Sequence, residues 1–352
     1  MKLLVIALSG IGDALMFTPA LTLLKENIME IEIDALVMYK GVRDIYERTN
    51  YFNKIHYFDF LNEPSVKGIK FVLGLRHKFS HSINVYPSNR KEYNLIQFLI
   101  GAKNRGGVKY LRSDLAELGF LNTVRIKENN SAHNVQENLL LVKKLFNIKR
   151  NNEPSLLFNL SEEDLNFAND FFTSNSISQK DLVIGFHPGC STLKNHINRR
   201  WESEKFSKLT KFLTDNDSVK VLVFGGPEEA ELKETIISLA ARDQVISVNT
   251  DNLAQTAAII KKCKIFITND SSLMHVAASQ KVKTYAIIGP TNRNYIHPWK
   301  TEYKIISMDL SCSPCFIYSP EPLNCKRNDV KYKCIKEITP EMVYSELQLK
   351  NN

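Results

Sequence analysis

Two segments far apart in this chain share one pattern: a short apolar run, a polar turn carrying a carboxylate, then a helix start. The first is Ser9-Gly10-Ile11-Gly12-Asp13-Ala14-Leu15-Met16-Phe17-Thr18-Pro19-Ala20-Leu21, preceded by the run Leu3–Leu8. The second is Thr268-Asn269-Asp270-Ser271-Ser272-Leu273-Met274-His275-Val276-Ala277-Ala278. Strand, turn and helix in that order form a unit of a parallel sheet covered by helices. One unit opens the chain and the other lies in its second half. The pattern therefore predicts an α/β protein of two nucleotide-fold domains, facing each other across a cleft. A length of 352 residues, 43% hydrophobic, is ample for two cores.

The rest of the first half alternates in the same way. Lys2–Leu8, Ile31–Met38, Lys54–Phe58, His81–Tyr86 and Gly106–Tyr110 read as strands, and Ala14–Asn27, Gly41–Thr49 and Tyr93–Ile100 as helices. His133–Phe146 is a long amphipathic helix, after which Asn147–Pro154 turns polar. A boundary there gives domains 1–155 and 156–352. Ser161 followed by Glu162, Glu163 and Asp164 is a helix start. In the second half, strands Asp181–Phe186, Lys220–Phe224, Lys264–Thr268 and Lys283–Ile288 each end in a polar cluster. In open parallel sheets, ligands bind beyond the carboxyl ends of the strands, so all four clusters belong on one edge.

No stretch approaches the roughly 20 apolar residues of a membrane helix. The apolar start is brief and runs into Gly12-Asp13 where a cleavage region would stand, so it reads as a buried strand rather than a signal peptide. The expected location is cytoplasmic. Charge is uneven. Ten cations (Lys67, Lys70, Arg76, Lys78, Arg90, Lys91, Lys103, Arg105, Lys109 and Arg112) lie between Pro64 and Arg112 with one acid, Glu92, so ten minus one leaves this stretch about +9 against +8 for the whole chain, and the rest is near neutral. Such a field suits a phosphorylated partner or an anionic membrane surface, or forms a solvated basic face. No nucleic-acid-binding motif accompanies it, so nucleic acid is not an expected partner.

Several residues are candidates for chemistry. Gly10-Ile11-Gly12-Asp13 fails as a dinucleotide fingerprint because Leu15 stands where the third glycine belongs. Asp13 is open to two roles, capping its helix or acting as a general base toward an acceptor hydroxyl. His187-Pro188-Gly189-Cys190-Ser191-Thr192 has the small and hydroxyl residues that suit a phosphate, and Lys194, Arg199 and Arg200 follow just before Trp201. Those cations either neutralise a diphosphate or lie on a solvated loop. Glu228, after Gly225-Gly226-Pro227, suits ribose hydroxyls or the first turn of a helix equally well. Asp270 and Ser271, with Ser272 beside them, are ligand contacts or N-caps. His275 has mostly apolar neighbours and reads as packed. Gly289-Pro290-Thr291 closes the last strand and suits a phosphate or nucleoside.

Taken in order, these segments resemble the heptosyltransferase family, glycosyltransferase family 9. The resemblance rests on the Gly12–Leu21 start, His187-Pro188-Gly189 with Arg200-Trp201, and Phe224-Gly225-Gly226 with Glu228. Asp270–His275, Gly289-Pro290-Thr291, and Pro87-Ser88-Asn89 with Gly101–Arg105 complete it. It implies a GT-B fold of two Rossmann-like domains and an inverting, metal-independent sugar transfer with no required cofactor. The donor would be a nucleotide sugar, expected to be ADP-heptose. The acceptor would be an anionic lipopolysaccharide inner core or related glycan, and the protein would sit peripherally on the cytoplasmic membrane. Asp13 would be the base. Gly12, Ser191, Thr192, Lys194, Arg199, Arg200, Glu228, Asp270, Ser271, Ser272, His275, Gly289 and Thr291 would serve the donor. Arg76, Lys78, Asn89, Arg90, Lys103 and Arg105 would serve the acceptor in the first domain. In one departure, Arg199 stands where many members have a lysine two residues before the tryptophan, and Arg and Lys differ in reach and geometry. A nucleotide-sugar epimerase and a non-catalytic glycolipid binder are the alternatives.

Four of the six cysteines cluster near the end: Cys312-x-x-Cys315, Cys325 and Cys334. Structural zinc, reduced packed thiols and disulfides all remain open for them.

Overall fold

The computed structural model describes residues 1–318 and 320–347. The chain divides into two compact units, one comprising residues 1–159 with Tyr318 and Pro320, the other running from Leu160 to Ile317 and on from Glu321. The connecting segment is tied to the first unit up to its last residues. Leu157 N–H donates to Thr18 Oγ1 (2.8 Å) and Asn159 Nδ2 to the Arg48 carbonyl (2.9 Å). Tyr318 is held there too, its carbonyl accepting from Asn89 Nδ2 at 2.8 Å and its hydroxyl from Asn134 Nδ2 at 2.9 Å.

The first unit has a six-stranded sheet of β1 (Lys2–Ala7), β2 (Glu32–Val37), β3 (Lys54–Tyr57), β4 (His81–Asn84), β5 (Asn104–Lys109) and β6 (Val124–Lys127). The order is β3-β2-β1-β4-β5-β6 and every pairing is parallel. Its helices are α1 (Ile11–Asn27), α2 (Lys40–Glu47), α3 (Ser65–Leu73), α4 (Lys91–Ile100) and α5 (Asn134–Phe146). Leu3 through Ala7 are all buried, as expected for a central strand covered on both faces. The sequence pattern gives β1 to β5 to within two residues but passes over α3 and β6. β6 is an edge strand of two apolar residues alternating with two cations, and α3 carries apolar side chains to solvent.

The second unit repeats the plan with β7 (Leu182–His187), β8 (Val219–Val223), β9 (Val245–Ser247), β10 (Ile265–Asn269), β11 (Lys283–Ile287) and β12 (Tyr303–Ile306). The order is β12-β11-β10-β7-β8-β9, again all parallel. Counted from its own first strand, this is the same order as the first sheet. Its longer helices are α6 (Glu162–Ser174), α7 (Ser203–Thr214), α8 (Ala230–Ala240), α9 (Leu253–Lys261) and α10 (Ser272–Ser279). Ser161 caps α6, accepting from Asp164 N–H at 3.2 Å. Phe186, Trp201, Phe206 and Val221 lead its core, where the Trp201 indole donates to the Ile338 carbonyl at 2.8 Å.

In each sheet the strand order reverses beside the first strand, between β1 and β4 and between β7 and β10. Crevices at the carboxyl ends of such strands are where open α/β sheets take ligands.

Candidate active site

The switch point of the first unit is sparse in charge. Ser9 Oγ donates to the Pro87 carbonyl at 3.0 Å, joining the turn after β1 to the turn after β4. Gly10 has an ordinary extended φ of −73°, and a Cβ there would meet nothing within 4 Å, so the glycine leaves the surface open rather than making a tight turn. Asp13 sits partly exposed in the first turn of α1. Its carboxylate accepts from Gly10 N–H at 3.3 Å, half of a capping box, at the helix end that favours negative charge. Tyrosines surround it. Burial first, and the Asp13 charge in part, raise the phenol pKa values of Tyr39, Tyr46, Tyr93 and Tyr110, with Arg90 pulling down on Tyr39 and Tyr93. The phenols therefore stay neutral, and Arg90 lies 6.0 Å from the Tyr93 ring centroid. A partly exposed carboxylate among neutral phenols and one guanidinium can accept a proton from a bound hydroxyl.

The other first-domain candidates are dispersed in role. Arg76, Lys78 and Lys103 are exposed. Asn89 is buried, and its amide holds the carbonyls of Arg112 and Tyr318. Arg105 donates to the carbonyls of Leu121 (2.9 Å) and Ala102 (2.8 Å), so most of its fork is spent on the fold.

The switch point of the second unit is crowded with ionic and hydroxyl groups. Arg199 Nη1 donates to Asp270 Oδ2 at 2.6 Å, and Thr291 Oγ1 donates to the same oxygen at 2.7 Å. Its Nη2 meets His196 Nδ1 at 3.1 Å, and the guanidinium lies over Phe316. Three candidates from three different loops thus meet at one carboxylate oxygen. Beside them runs a second chain of contacts. His187 Nδ1 meets Ser271 Oγ at 2.7 Å, and His187 Nε2 meets Glu229 Oε2 at 3.1 Å. Ser271 Oγ also meets Thr268 Oγ1 at 3.0 Å. Ser271 is the N-cap residue of α10 yet makes no capping bond, because its hydroxyl is turned to His187 and Thr268. Asn269 fastens the two strand ends, accepting from Trp201 N–H at 3.0 Å and donating to the Pro188 carbonyl at 2.7 Å.

Glu229 is the residue that sequence reasoning missed, in favour of its neighbour Glu228. Glu228 is exposed, whereas Glu229 is buried against His187, Gly226 N–H and Arg200. Burial works to raise the Glu229 pKa; His187, the Gly226 N–H and Arg200 outweigh it, and the group is held below the usual carboxylate range. Nothing in the sequence marks this seat, which shows only in three dimensions. A Cβ on Gly189 would fall 1.7 Å from Glu229 Oε1, so glycine is required there to admit the carboxylate.

Arg200 also donates to the Cys190 carbonyl at 2.8 Å. Ser191 and Thr192 are exposed, and Lys194 is partly exposed with a positive φ of 52°. Ser272 opens α10. His275 is buried with Nδ1 unpartnered, and burial pushes it down to about 4 against the pull of Asp270. Gly289 and Thr291 border a cavity of about 490 Å³ whose wall includes Arg293, Met308 and Asp309.

The four clustered cysteines are free thiols, Cys312 and Cys315 exposed, Cys325 and Cys334 buried. Among the described residues, no three of His, Cys, Asp or Glu are gathered so that they could hold a metal ion. The sulfurs have other neighbours: Arg327 Nη1 at 3.5 Å from Cys312 and the Tyr332 N–H at 3.3 Å from Cys325. Cys334 underlies Gly289, where a Cβ would lie 3.2 Å from its sulfur; burial and the other three thiols push it up to about 11.

Two Rossmann-like domains of this topology have the architecture of the GT-B class. The chain belongs to glycosyltransferase family 9 (heptosyltransferase), whose profile matches residues 94–323. It is similar along its whole length to lipooligosaccharide heptosyltransferase 2 of Campylobacter jejuni, at 26% identity over 100% of this chain and 99% of that one. Among solved structures, E. coli ADP-heptose LPS heptosyltransferase II superimposes with a TM-score of 0.73 at 22% identity, covering 99% of this chain and 97% of the other. An E. coli heptosyltransferase solved with ADP gives a TM-score of 0.65 at 16% identity, over 99% and 97%.

Proposed function

We propose that this glycosyltransferase moves heptose from ADP-heptose to an anionic lipopolysaccharide inner-core or related glycan acceptor, with inversion and without a metal. In this reading Asp13 accepts the proton of the acceptor hydroxyl. The hydroxyl oxygen bonds to the anomeric carbon from the face opposite the leaving group. The carbon–oxygen bond to the diphosphate breaks, and its electron pair leaves with ADP. The second domain holds the donor. Ser191, Thr192, Lys194 and the N–H groups at the start of α10 face its phosphates, and Arg199 and Arg200 supply positive charge as the diphosphate departs. Thr291 and Ser271 offer hydroxyls, and Glu228 suits the ribose. The acceptor is anionic, in keeping with Arg76, Lys78, Arg90 and Lys103 in the first domain.

The observation that carries this reading is the meeting of Arg199 and Thr291 on Asp270 beside the Ser271–His187–Glu229 chain, at the carboxyl ends of β7 and β10. ADP-binding relatives of the same fold support the choice of nucleotide. Enzyme of this kind belongs in the cytoplasm, where nucleotide sugars are made available to membrane glycolipids. The test is release of ADP from ADP-heptose with and without heptose-deficient lipopolysaccharide. Release that requires the acceptor supports the transfer, and turnover of the nucleotide sugar alone overturns it. Elemental analysis of the same preparation tests zinc at Cys312, Cys315, Cys325 and Cys334.

A further inference from the structure

We infer that the α3–α4 face of the first domain is a docking surface for an anionic lipid bilayer. Helix α3 is apolar on two sides. Gly68 and Val72 face inward, toward the core of Leu36, Leu75 and Ile100. Val66, Ile69 and Leu73 lie at spacings of three and four, hence on one outward stripe, and are exposed by 78%, 53% and 44%. A helix of a soluble domain ordinarily gives its solvent face to polar residues. Here only Lys70 interrupts the stripe, and Lys67 borders it, paired with Glu63 at 3.0 Å.

Further apolar side chains are exposed on the neighbouring helix. Helix α4 packs beside α3, and presents Leu95 and Phe98 outward at 44% and 45% exposure. Phe60, Phe71, Ile96 and Leu99 are partly exposed around the shared core. Arg105 lies over the Phe98 ring, 5.6 Å from its centroid. Three exposed apolar residues on one helical stripe, with two more on the helix packed beside it, exceed the single scattered side chains of an ordinary surface and mark an interaction site.

Its charge selects the partner. Lys67 and Lys70 on α3, Lys91 on α4, and Arg76, Lys78 and Lys103 just beyond the ends of the two helices are exposed, against the acids Glu63 and Glu92. A helix with an apolar face rimmed by lysine and arginine lies in the plane of an anionic membrane, inserting its side chains among the headgroups. A soluble phosphorylated glycan would engage the cations and leave Val66, Ile69 and Leu73 unexplained. No described helix is long and apolar enough to cross a membrane, so attachment through this face is peripheral.

Flotation of the full chain with vesicles tests the assignment, using phosphatidylcholine alone and phosphatidylcholine with phosphatidylglycerol. The wild type should float with the anionic vesicles only. Combining Val66→Ser, Ile69→Ser and Leu73→Ser should lower the bound fraction roughly tenfold or more. Combining Lys67→Gln and Lys70→Gln should lower it several-fold and flatten its dependence on salt. ADP binding should be unchanged in both variants, which separates this surface from the donor site and reports an intact fold. Failure of the wild type to bind anionic vesicles overturns the inference. So does full binding by the serine variant, or an apolar stripe that proves by sedimentation to join two copies of the chain.

Discussion

The two sheets of this protein share one strand order, yet their switch points carry contrasting chemistry. After β1 and β4 stand one acid, Asp13, a set of neutral phenols and one arginine, and the surface at Gly10 is open. After β7 and β10 the strand ends are welded by ion pairs and hydrogen bonds through Arg199, Asp270, Thr291, Ser271, His187 and Glu229. A topology fixes where a site can form, and side chains decide what it does. Under the proposed function the contrast becomes a division of labour, in which the first point handles a proton and the second holds a charged ligand.

The largest effect should come from the sparse point. Asp13→Asn should lower turnover by about a hundredfold to ten-thousandfold, the usual range for a general base, as read from the rate of ADP release with acceptor present. Near-normal turnover would remove Asp13 from the mechanism and with it the contrast.

At the crowded point the same kind of cut should damage the fold as well. Arg199→Ala leaves Asp270 with Thr291 alone, in a pair whose side chains are only 11% and 9% exposed. Breaking such a pair typically costs about 3 kcal/mol, and urea unfolding should show a loss of that order. Asp13→Asn should lose far less by the same assay, since Asp13 is partly exposed and asparagine can still accept from the Gly10 N–H.

A smaller loss is expected from Gly189→Ala. The added methyl claims the space of the Glu229 carboxylate, and overpacking of this kind costs about 1–3 kcal/mol. Serine or alanine at Gly10, where a Cβ meets nothing, should be close to neutral for stability.

A separate effect is in pH, where the two domains should differ in sign. Burial, opposed by the Asn129 N–H and aided by Glu128, pushes Glu137 of the first domain up to about 7. Folded protein then binds more protons than unfolded protein between about pH 4.5 and 7, so this residue erodes stability as pH rises through that window. In the second domain His275 is pushed down to about 4 by burial. There the unfolded chain binds more protons between about pH 6.5 and 4, so stability falls as pH falls. Glu137→Gln and His275→Asn should flatten opposite limbs of the melting temperature against pH. Parallel changes in the two variants would contradict the assignment.

Much of this was legible in sequence for a physical reason. Buried parallel strands are apolar throughout and end in turns, so β1, β7, β10 and β11 announce themselves, and Asp13, Asp270 and Thr291 fall at their ends. Glu229 was hidden because burial is a three-dimensional property: nothing local separates it from Glu228, and only the space reserved by Gly189 does. His187 was visible as part of a motif, but its grip on Ser271 spans 84 residues. The short β9 and the two-sided α3 were missed because neither shows the periodicity by which strands and helices are read.

The division of labour is tested most directly by calorimetric titration of ADP into the wild type, Asp13→Asn and Arg199→Ala. If the second switch point alone holds the nucleotide, Asp13→Asn binds ADP within about twofold of the wild type, whereas Arg199→Ala binds at least roughly tenfold more weakly, a loss of about 1.4 kcal/mol. Loss of ADP affinity in Asp13→Asn, or full affinity in folded Arg199→Ala, would contradict it.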